Sequence, residues 1–208
     1  IGEQGRVNLR MAGTSWDAND QIGVFMKKAG QGLSGNIVSS ADNIRHSTPG
    51  DGKFSPAVIS EGIEYPEDGS NVDFIAYYPY TTSLTGYVYK VNVANQTSQS
   101  AIDLLYSNNA VNMNKNSAKN VGMAFTHELT KLVVNVEAGT GIGSLTGLVT
   151  TLTGTNTQAD YALADGTLTS SSSVADIQLL TNPSGIKMVS EAVILPAPAS
   201  AGRTIVFT

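Results

Sequence analysis

The sequence predicts an all-β chain, built as an antiparallel β-sandwich with little helix. Short runs of Val, Ile, Leu, Phe and Tyr recur along the 208 residues, and several alternate with polar residues, which is typical of half-buried strands. Gly, Pro and Asn separate these runs, and no window keeps helical periodicity for three turns. Parallel strands need long crossover connections, usually helical. The sequence has none, so the sheets should be mainly antiparallel.

Eight segments have the length and composition of strands. The clearest is residues 131–137, where Leu132, Val134 and Val136 alternate with polar residues. The segment Val72–Tyr78 is rich in β-branched and aromatic side chains, and Pro79, which cannot donate to a ladder, should mark its end. The other predicted strands are residues 21–27, 87–93, 145–151, 177–180, 191–195 and 204–207.

A hairpin is predicted between residues 161 and 169. Asp165 and Gly166 can supply the positive φ angles of a two-residue type I′ turn, which would place Leu163 opposite Leu168. A single helical turn could form at residues 127–132. Long polar connections are predicted at residues 29–52, 107–119 and 170–175, on the surface of the domain.

Charge and cysteine content limit the possible functions. The 17 acidic residues outnumber the 12 basic ones, which argues against nucleic acid as a partner because few cations could replace phosphate counterions. The absence of cysteine excludes a disulfide framework, a thiolate nucleophile and a cysteine-based zinc site. No apolar run approaches the roughly 18 residues that a membrane-spanning helix needs.

The string from His127 to Lys131 begins like the HExxH zinc motif. Lys131, a cation, stands where the second imidazole must lie, and His46, in a predicted polar loop, is the only other histidine. Ser184 and Lys187 have the S-x-x-K spacing of serine acyl-enzymes, but the residues around them oppose the required helix. Neither pattern predicts a catalytic or metal site.

Acidic and aromatic residues leave two alternatives open. Acids at residues 17–20 and 61–68 could form a glycosidase pair, although acids beside Gly and Pro more often cap turns. A glycan-binding module would need exposed aromatic side chains, whereas their alternation with apolar residues favours a place in the core. The aromatic candidates are Trp16, Tyr65, Tyr77, Tyr78 and Tyr80.

Several segments in order resemble the fimbrillin family of the Bacteroidales. These are Trp16 followed by DQIGVFM at residues 20–26, VDFIAYYPY at 72–80, DLLYS at 103–107, FTHELTKL at 125–132, the Asp165-Gly166 pair and LPAP at 195–198. They extend over most of the chain, from about residue 16 to residue 208.

The resemblance implies a non-enzymatic surface lipoprotein that forms or decorates type V pili and mediates adhesion. Such subunits have two transthyretin-like β-sandwich domains, and the match is to the N-terminal one. Residues 1–208 are therefore expected to form one such domain, with a flexible leader at residues 1–15 and the C-terminal domain missing from this sequence. The implied location is the fimbrium at the outer-membrane surface. Membrane contact is expected only through a lipid anchor outside the sequence, and no cofactor is expected.

In this family an arginine-specific protease cuts near the mature start and frees a first strand, so that a strand of the next subunit can replace it. Arg10 is the nearest match to the cleaved residue and Arg6 the second candidate, although a solvated arginine in a flexible terminus is the alternative. The expected partners are neighbouring pilus subunits, bound by strand exchange, and in addition a host protein or glycan. An unpaired edge exposes N–H and C=O groups to such a strand. The candidate edge strand consists of Thr204, Ile205, Val206 and Phe207.

Overall fold

The computed structural model describes residues 15–117, 120–196 and 202–208. It is 43% strand and 4% helix, which confirms the prediction of an all-β chain with little helix. Besides the strands, the described residues contain one helical turn, α1 (Gln99–Ile102), and one 3-10 turn, Ile59–Glu61. The strands are β1 (Gln21–Lys28), β2 (Ile44–Ser47), β3 (Ser55–Pro56), β4 (Val72–Tyr78), β5 (Val88–Asn92), β6 (Leu105–Ser107), β7 (Thr126–His127), β8 (Thr130–Glu137), β9 (Thr150–Asn156), β10 (Gln158–Ala162), β11 (Thr167–Ser170), β12 (Val174–Gln178), β13 (Leu180–Ser184), β14 (Lys187–Ile194) and β15 (Thr204–Phe207).

The strands form four sheets within the described residues. A six-stranded sheet has the order β3-β2-β1-β4-β6-β7, and three-stranded sheets have the orders β11-β10-β5, β12-β9-β15 and β13-β14-β8. The strand pairs whose register is defined are antiparallel, as predicted.

The chain divides into two compact units. The first contains the described parts of residues 1–89, 103–128 and 161–168, and the second those of residues 90–102, 129–160 and 169–208. Whether residues 1–208 act as one transthyretin-like domain stays a prediction. The predicted leader, residues 1–15, lies outside the described residues except for Ser15.

The six-stranded sheet of the first unit is covered on both faces. Its central strands, β1 and β4, are buried along almost their whole length, so they have the continuous apolar sequence of strands without a solvent face. On one face Trp16 contacts Phe54 and Phe125 edge to face, with ring centroids 4.9 and 5.4 Å apart. On the other face Phe25 contacts Tyr87 edge to face, with ring centroids 5.7 Å apart.

The second unit contains two sheets packed face to face. The hydroxyls of Thr150 on β9 and Ser190 on β14 share a buried hydrogen bond of 2.8 Å, which joins the two central strands. Leu152 and Ile177 of one sheet are buried, as are Met188 and Ala192 of the other. The predicted sandwich is thus present, with side chains of both sheets in its core.

Four local predictions need correction. Residues 145–149 precede β9 rather than belong to a strand, and residues 177–180 are split between β12 and β13. The connection at residues 29–52 contains β2, and the predicted helical turn at residues 127–132 is replaced by the end of β7, a two-residue connection and the start of β8. Short apolar runs do not by themselves distinguish strand from helix or loop.

The predicted hairpin exists, but its turn is different. Four residues, 163–166, connect β10 to β11, and the N–H of Gly166 donates to the carbonyl of Ala162 at 2.8 Å. Gly166 has a φ of +78°, whereas Asp165 is not among the residues with positive φ, so the turn is not type I′. Leu163 therefore lies in the turn and not opposite Leu168.

Candidate functional site: an open sandwich edge

The two ends of the second unit's sandwich differ in how the chain covers them. Leu179 alone connects β12 to β13, and its N–H donates to the carbonyl of Thr150 at 2.9 Å. The chain thus passes directly from one sheet to the other, and the last strands of both sheets lie at the same end. We call the end formed by β12 and β13 the closed edge.

The closed edge has features that oppose the addition of another strand. The register of β12 with β9 shifts between Ala175 and Ile177, where one residue of β12 lies opposite two residues of β9, so the pairing of this edge strand is irregular. The other edge strand, β13, contains Pro183, which has no N–H to donate, and prolines at edge strands are a common protection against unwanted pairing.

The opposite end of the sandwich is formed by β8 and β15, and we call it the open edge. In the described residues β8 pairs only with β14, and β15 only with β9. Both strands lack proline. Their outer N–H and C=O groups therefore form the kind of edge that can pair with a further strand.

Inward-facing apolar side chains remain partly exposed along the open edge. On β8, Leu132, Val134 and Val136 lie opposite Ala192, Ser190 and Met188 of β14 and therefore share their face of the sheet. The three β14 residues are fully buried, whereas the three β8 residues are only half-buried. On β15, Ile205 and Phe207 lie opposite Leu152 and Thr150, and they are 38% and 45% exposed. Five apolar side chains that face the core are thus partly exposed to solvent.

The residues proposed as an edge strand for subunit contact do form a strand, whereas the contact itself stays a prediction. Thr204, Ile205, Val206 and Phe207 form β15, the last strand of its sheet, and all four are exposed. Ile205 and Phe207 face inward, whereas Val206, 37% exposed, points to the opposite face. Arg10 and Arg6, the predicted cleavage sites, lie outside the described residues. The contribution of β8 to this edge was not predicted, although its alternation of apolar and polar residues was recognised.

The second unit also carries most of the exposed apolar surface. Nine of the twelve exposed large apolar side chains of the described residues belong to it. Its sequence contains only four basic and four acidic residues, so it has no net charge. These are Lys90, Lys131, Lys187, Arg203, Glu137, Asp160, Asp176 and Glu191. Low charge with exposed apolar residues is typical of a surface that contacts another protein.

The residues of the enzyme-like patterns lie in β-strands, whereas the S-x-x-K chemistry requires a helix. His127 Nδ1 lies 3.0 Å from the buried carboxylate of Asp103, and Lys131 forms an ion pair of 2.9 Å with Glu191. Ser184 and Lys187 are opposite each other across the turn of a hairpin. Within residues 15–117, 120–196 and 202–208, no group of three or more His, Asp or Glu side chains is placed to hold a metal ion.

Several acidic side chains cap turns, the role that the sequence analysis favoured over a glycosidase pair. Carboxylates of Asp20, Asp51 and Asp68 accept hydrogen bonds from the backbone N–H groups of Asp17, Lys53 and Ser70. The aromatic candidates are also placed as expected for core residues. Trp16, Tyr77 and Tyr78 are buried, and Tyr65 and Tyr80 are half-buried.

The fold is that of an antiparallel β protein, and its second unit is a sandwich with an open edge among the described residues. The sequence matches the fimbrillin-like family over residues 10–208. The chain therefore belongs to the fimbrillin-like family, and the resemblance found in its motifs is confirmed. No helix among the described residues has the length and hydropathy required to span a bilayer.

Individual relatives agree with this assignment. The chain is 32% identical over 209 residues to a Bacteroides uniformis protein named "Putative fimbrium subunit Fim1C". The alignment covers 98% of this chain and 66% of that protein. The crystal structure of a "putative cell adhesion protein" from Bacteroides uniformis superimposes with a TM-score of 0.78 at 31% identity, covering 93% of this chain and 74% of the other. A second such protein, from Bacteroides ovatus, shares the fold with a TM-score of 0.69 at 19% identity, covering 92% of this chain and 77% of the other. The chain thus spans slightly less than two thirds of the fimbrium subunit's length.

Proposed function

We propose that this protein is a structural or adhesive subunit of a bacterial surface fimbria, and that it binds a neighbouring subunit by strand addition at the open edge. The observation that carries the proposal is the set of five inward-facing apolar side chains left partly exposed along β8 and β15. An added strand would cover them with alternate side chains, and its backbone would pair with a free strand edge.

The difference between the two ends of the sandwich supports the choice of this edge. At the closed edge Pro183 in β13 opposes pairing and β12 is irregularly paired with β9, whereas β8 offers eight residues without proline in a regular register with β14. Strand length matters because each further pair of residues adds backbone hydrogen bonds and a side-chain contact.

The sequence near the start of the chain suits the processing step that the family resemblance implies. Arg6 and Arg10 are the first two arginines of the sequence. We propose that an arginine-specific protease cleaves at Arg10, or at Arg6, and that this cleavage makes an acceptor edge available to a strand of the next subunit.

The matched substitutions Phe207→Asp and Val206→Asp test the use of the open edge. Both residues are exposed on the same strand, but only Phe207 faces inward. Full-length protein would be treated with an arginine-specific protease, and SDS-resistant ladders would be followed by gel. We expect ladders from the wild type and from Val206→Asp, and monomers from Phe207→Asp, because a carboxylate would be buried under the added strand.

Two results would contradict strand addition at this edge. One is persistent wild-type monomer after complete cleavage at Arg10 or Arg6, in protein that keeps its C-terminal residues. The other is equal ladder formation by both variants, which would place subunit contact elsewhere. Thermal unfolding of the uncleaved variants serves as a control, since both should fold.

The proposed location follows from the same function. A fimbrial subunit is exported to the outer-membrane surface, and a lipid anchor would lie outside this sequence. We propose no catalytic activity and no cofactor, consistent with the structural role in the name of the fimbrium subunit relative.

A further inference from the structure

We propose that a cleft in the first unit binds a neutral saccharide. The cleft has a volume of about 370 Å³ and lies beside the start of β5, within the size range of small-molecule sites. Its polar lining consists of Asp42, Asn43, Thr82 and Tyr87, and Phe25 and Leu84 contribute apolar surface. None of these residues belongs to the open edge, so this inference goes beyond subunit assembly.

The aromatic ring in the cleft is held in place by an unusual backbone conformation. Gly86 and Tyr87 both have a φ of +61°, in a tight turn closed by a bridge between Thr85 and Val88. An aromatic residue rarely adopts this conformation, and strained residues cluster at functional sites. The ring also packs edge-on against buried Phe25 at 5.7 Å. Tyr87 is half-buried, so part of its ring stays accessible.

A carboxylate lies next to this ring. Asp42 is exposed and lines the same cleft as Tyr87. Burial raises the pKa of Tyr87, and the negative charge of Asp42 raises it further. The neighbouring Asn43 also has a positive φ, +56°. Its amide is fixed by hydrogen bonds of 2.9 Å to the Thr81 carbonyl and from the Tyr77 hydroxyl. The carboxylate therefore projects from a rigid segment of backbone.

This combination of groups fits a neutral sugar. An aromatic ring packs against the C–H face of a sugar ring, and a carboxylate accepts hydrogen bonds from two hydroxyl groups. The Thr82 hydroxyl can both donate and accept. Among the lining residues the only charge is negative, which disfavours an anionic sugar. An ammonium group could also bind beside a carboxylate and an aromatic ring, but an exposed carboxylate attracts it only weakly.

Titration of the isotopically labelled chain by NMR tests the site. The probes are a panel of neutral disaccharides that includes lactose and N,N′-diacetylchitobiose, together with 3′-sialyllactose and methylamine. We expect at least one neutral disaccharide to shift the amide signals of residues 42, 43, 86 and 87. Asp42→Asn and Tyr87→Gly should each weaken that binding by about tenfold or more. Asp51→Asn, which removes another exposed carboxylate, should leave it unchanged.

Glycine is chosen at position 87 because it adopts a positive φ without strain, so the turn should survive the loss of the ring. Tyr87→Asn provides a second variant that tolerates the same conformation, and thermal unfolding shows that each variant is folded. The proposal is overturned if no disaccharide of the panel binds the wild type, if binding survives in Asp42→Asn and in the folded Tyr87 variants, or if methylamine is the only probe that binds. These outcomes are separate from the ladder assay, which reports only on assembly.

Discussion

His46 is fully buried in β2, although its sequence neighbours suggested a polar loop. Its Nδ1 is 3.2 Å from the carbonyl of Ile44, and its Nε2 has no hydrogen-bond partner among the described residues. Burial, which disfavours the charged imidazolium, lowers the pKa of His46 from the usual 6.5 to about 4. The hydrogen bond with the Ile44 carbonyl acts in the opposite direction, but the effect of burial is larger.

Stability should therefore fall as the pH decreases from about 6.5 to about 4. In this window the unfolded chain binds a proton at His46 and the folded protein does not, which favours unfolding. The change in pKa from 6.5 to about 4 corresponds to roughly 3 kcal/mol. Urea unfolding of the wild type and of His46→Leu at both ends of this range measures the effect. The variant should lose less unfolding free energy on acidification, and an equal loss in both proteins would refute the assignment.

Asp73 connects three parts of the first unit. Its carboxylate accepts hydrogen bonds from the ammonium of Lys27 at 2.9 Å and from the N–H groups of Gly30 and Asn112 at 2.8 and 2.9 Å. Burial alone would raise the pKa of Asp73, but these hydrogen bonds outweigh it and the pKa is lowered. The charge is thus compensated inside the fold.

Asp73→Ala should destabilise the protein by about 3–5 kcal/mol, because it leaves the buried Lys27 without a partner. The matched control is Asp160→Ala, which removes the exposed ion pair of 2.7 Å with Lys90 and should cost less than about 1 kcal/mol. Chemical denaturation of both variants provides the comparison. Similar losses in the two would show that burial does not distinguish the pairs.

At the scale of elements, a side-chain amide completes the edge of β14 beyond the end of β13. Gln96 accepts a hydrogen bond from the N–H of Val193 at 2.8 Å and donates to its carbonyl at 2.9 Å, so the amide makes the same two bonds as a paired strand residue. Gln96 also donates to the carbonyl of Val93 at 2.7 Å. The sequence offers no signal for this contact, since the two residues are far apart along the chain.

Gln96→Ala should lower the free energy of unfolding by about 1–3 kcal/mol, since it leaves buried backbone groups of Val193 unsatisfied. Gln178→Ala is the control, because Gln178 is exposed and should change stability by less than about 0.5 kcal/mol. Hydrogen exchange of the Val193 amide gives a local measurement. Unchanged protection of that amide in Gln96→Ala would contradict this role of the side chain.

For the whole molecule, the proposed assembly should depend weakly on salt. The inward-facing residues of the open edge are apolar, and the second unit has no net charge. Screening by ions acts on charged surfaces and leaves apolar burial largely unaffected. Between about 0.05 and about 0.5 M NaCl, the ladder yield from cleaved protein should change by less than about threefold. A loss of ladders at the higher concentration would indicate that charged groups dominate the contact.

Several features of this protein follow from its sequence alone. Alternation at residues 131–137 and the apolar run Val72–Tyr78 predicted two strands close to their observed bounds, because the pattern of a strand is set by which of its faces are buried. The ordered motifs indicated the fimbrillin-like family, and the residues of β15 were proposed as an edge strand. Such signals are local, so they remain readable without the fold.

Tertiary structure alone decided the rest. Leu179 turns the chain between two sheets, and this places β8 and β15 together at the open edge. Tyr87 and Asp42 line one cleft although 45 positions separate them in the sequence, and His46 is buried among residues from other strands. Contacts of this kind depend on which distant segments pack together. A single sequence records which faces are apolar, but not which partner covers each of them.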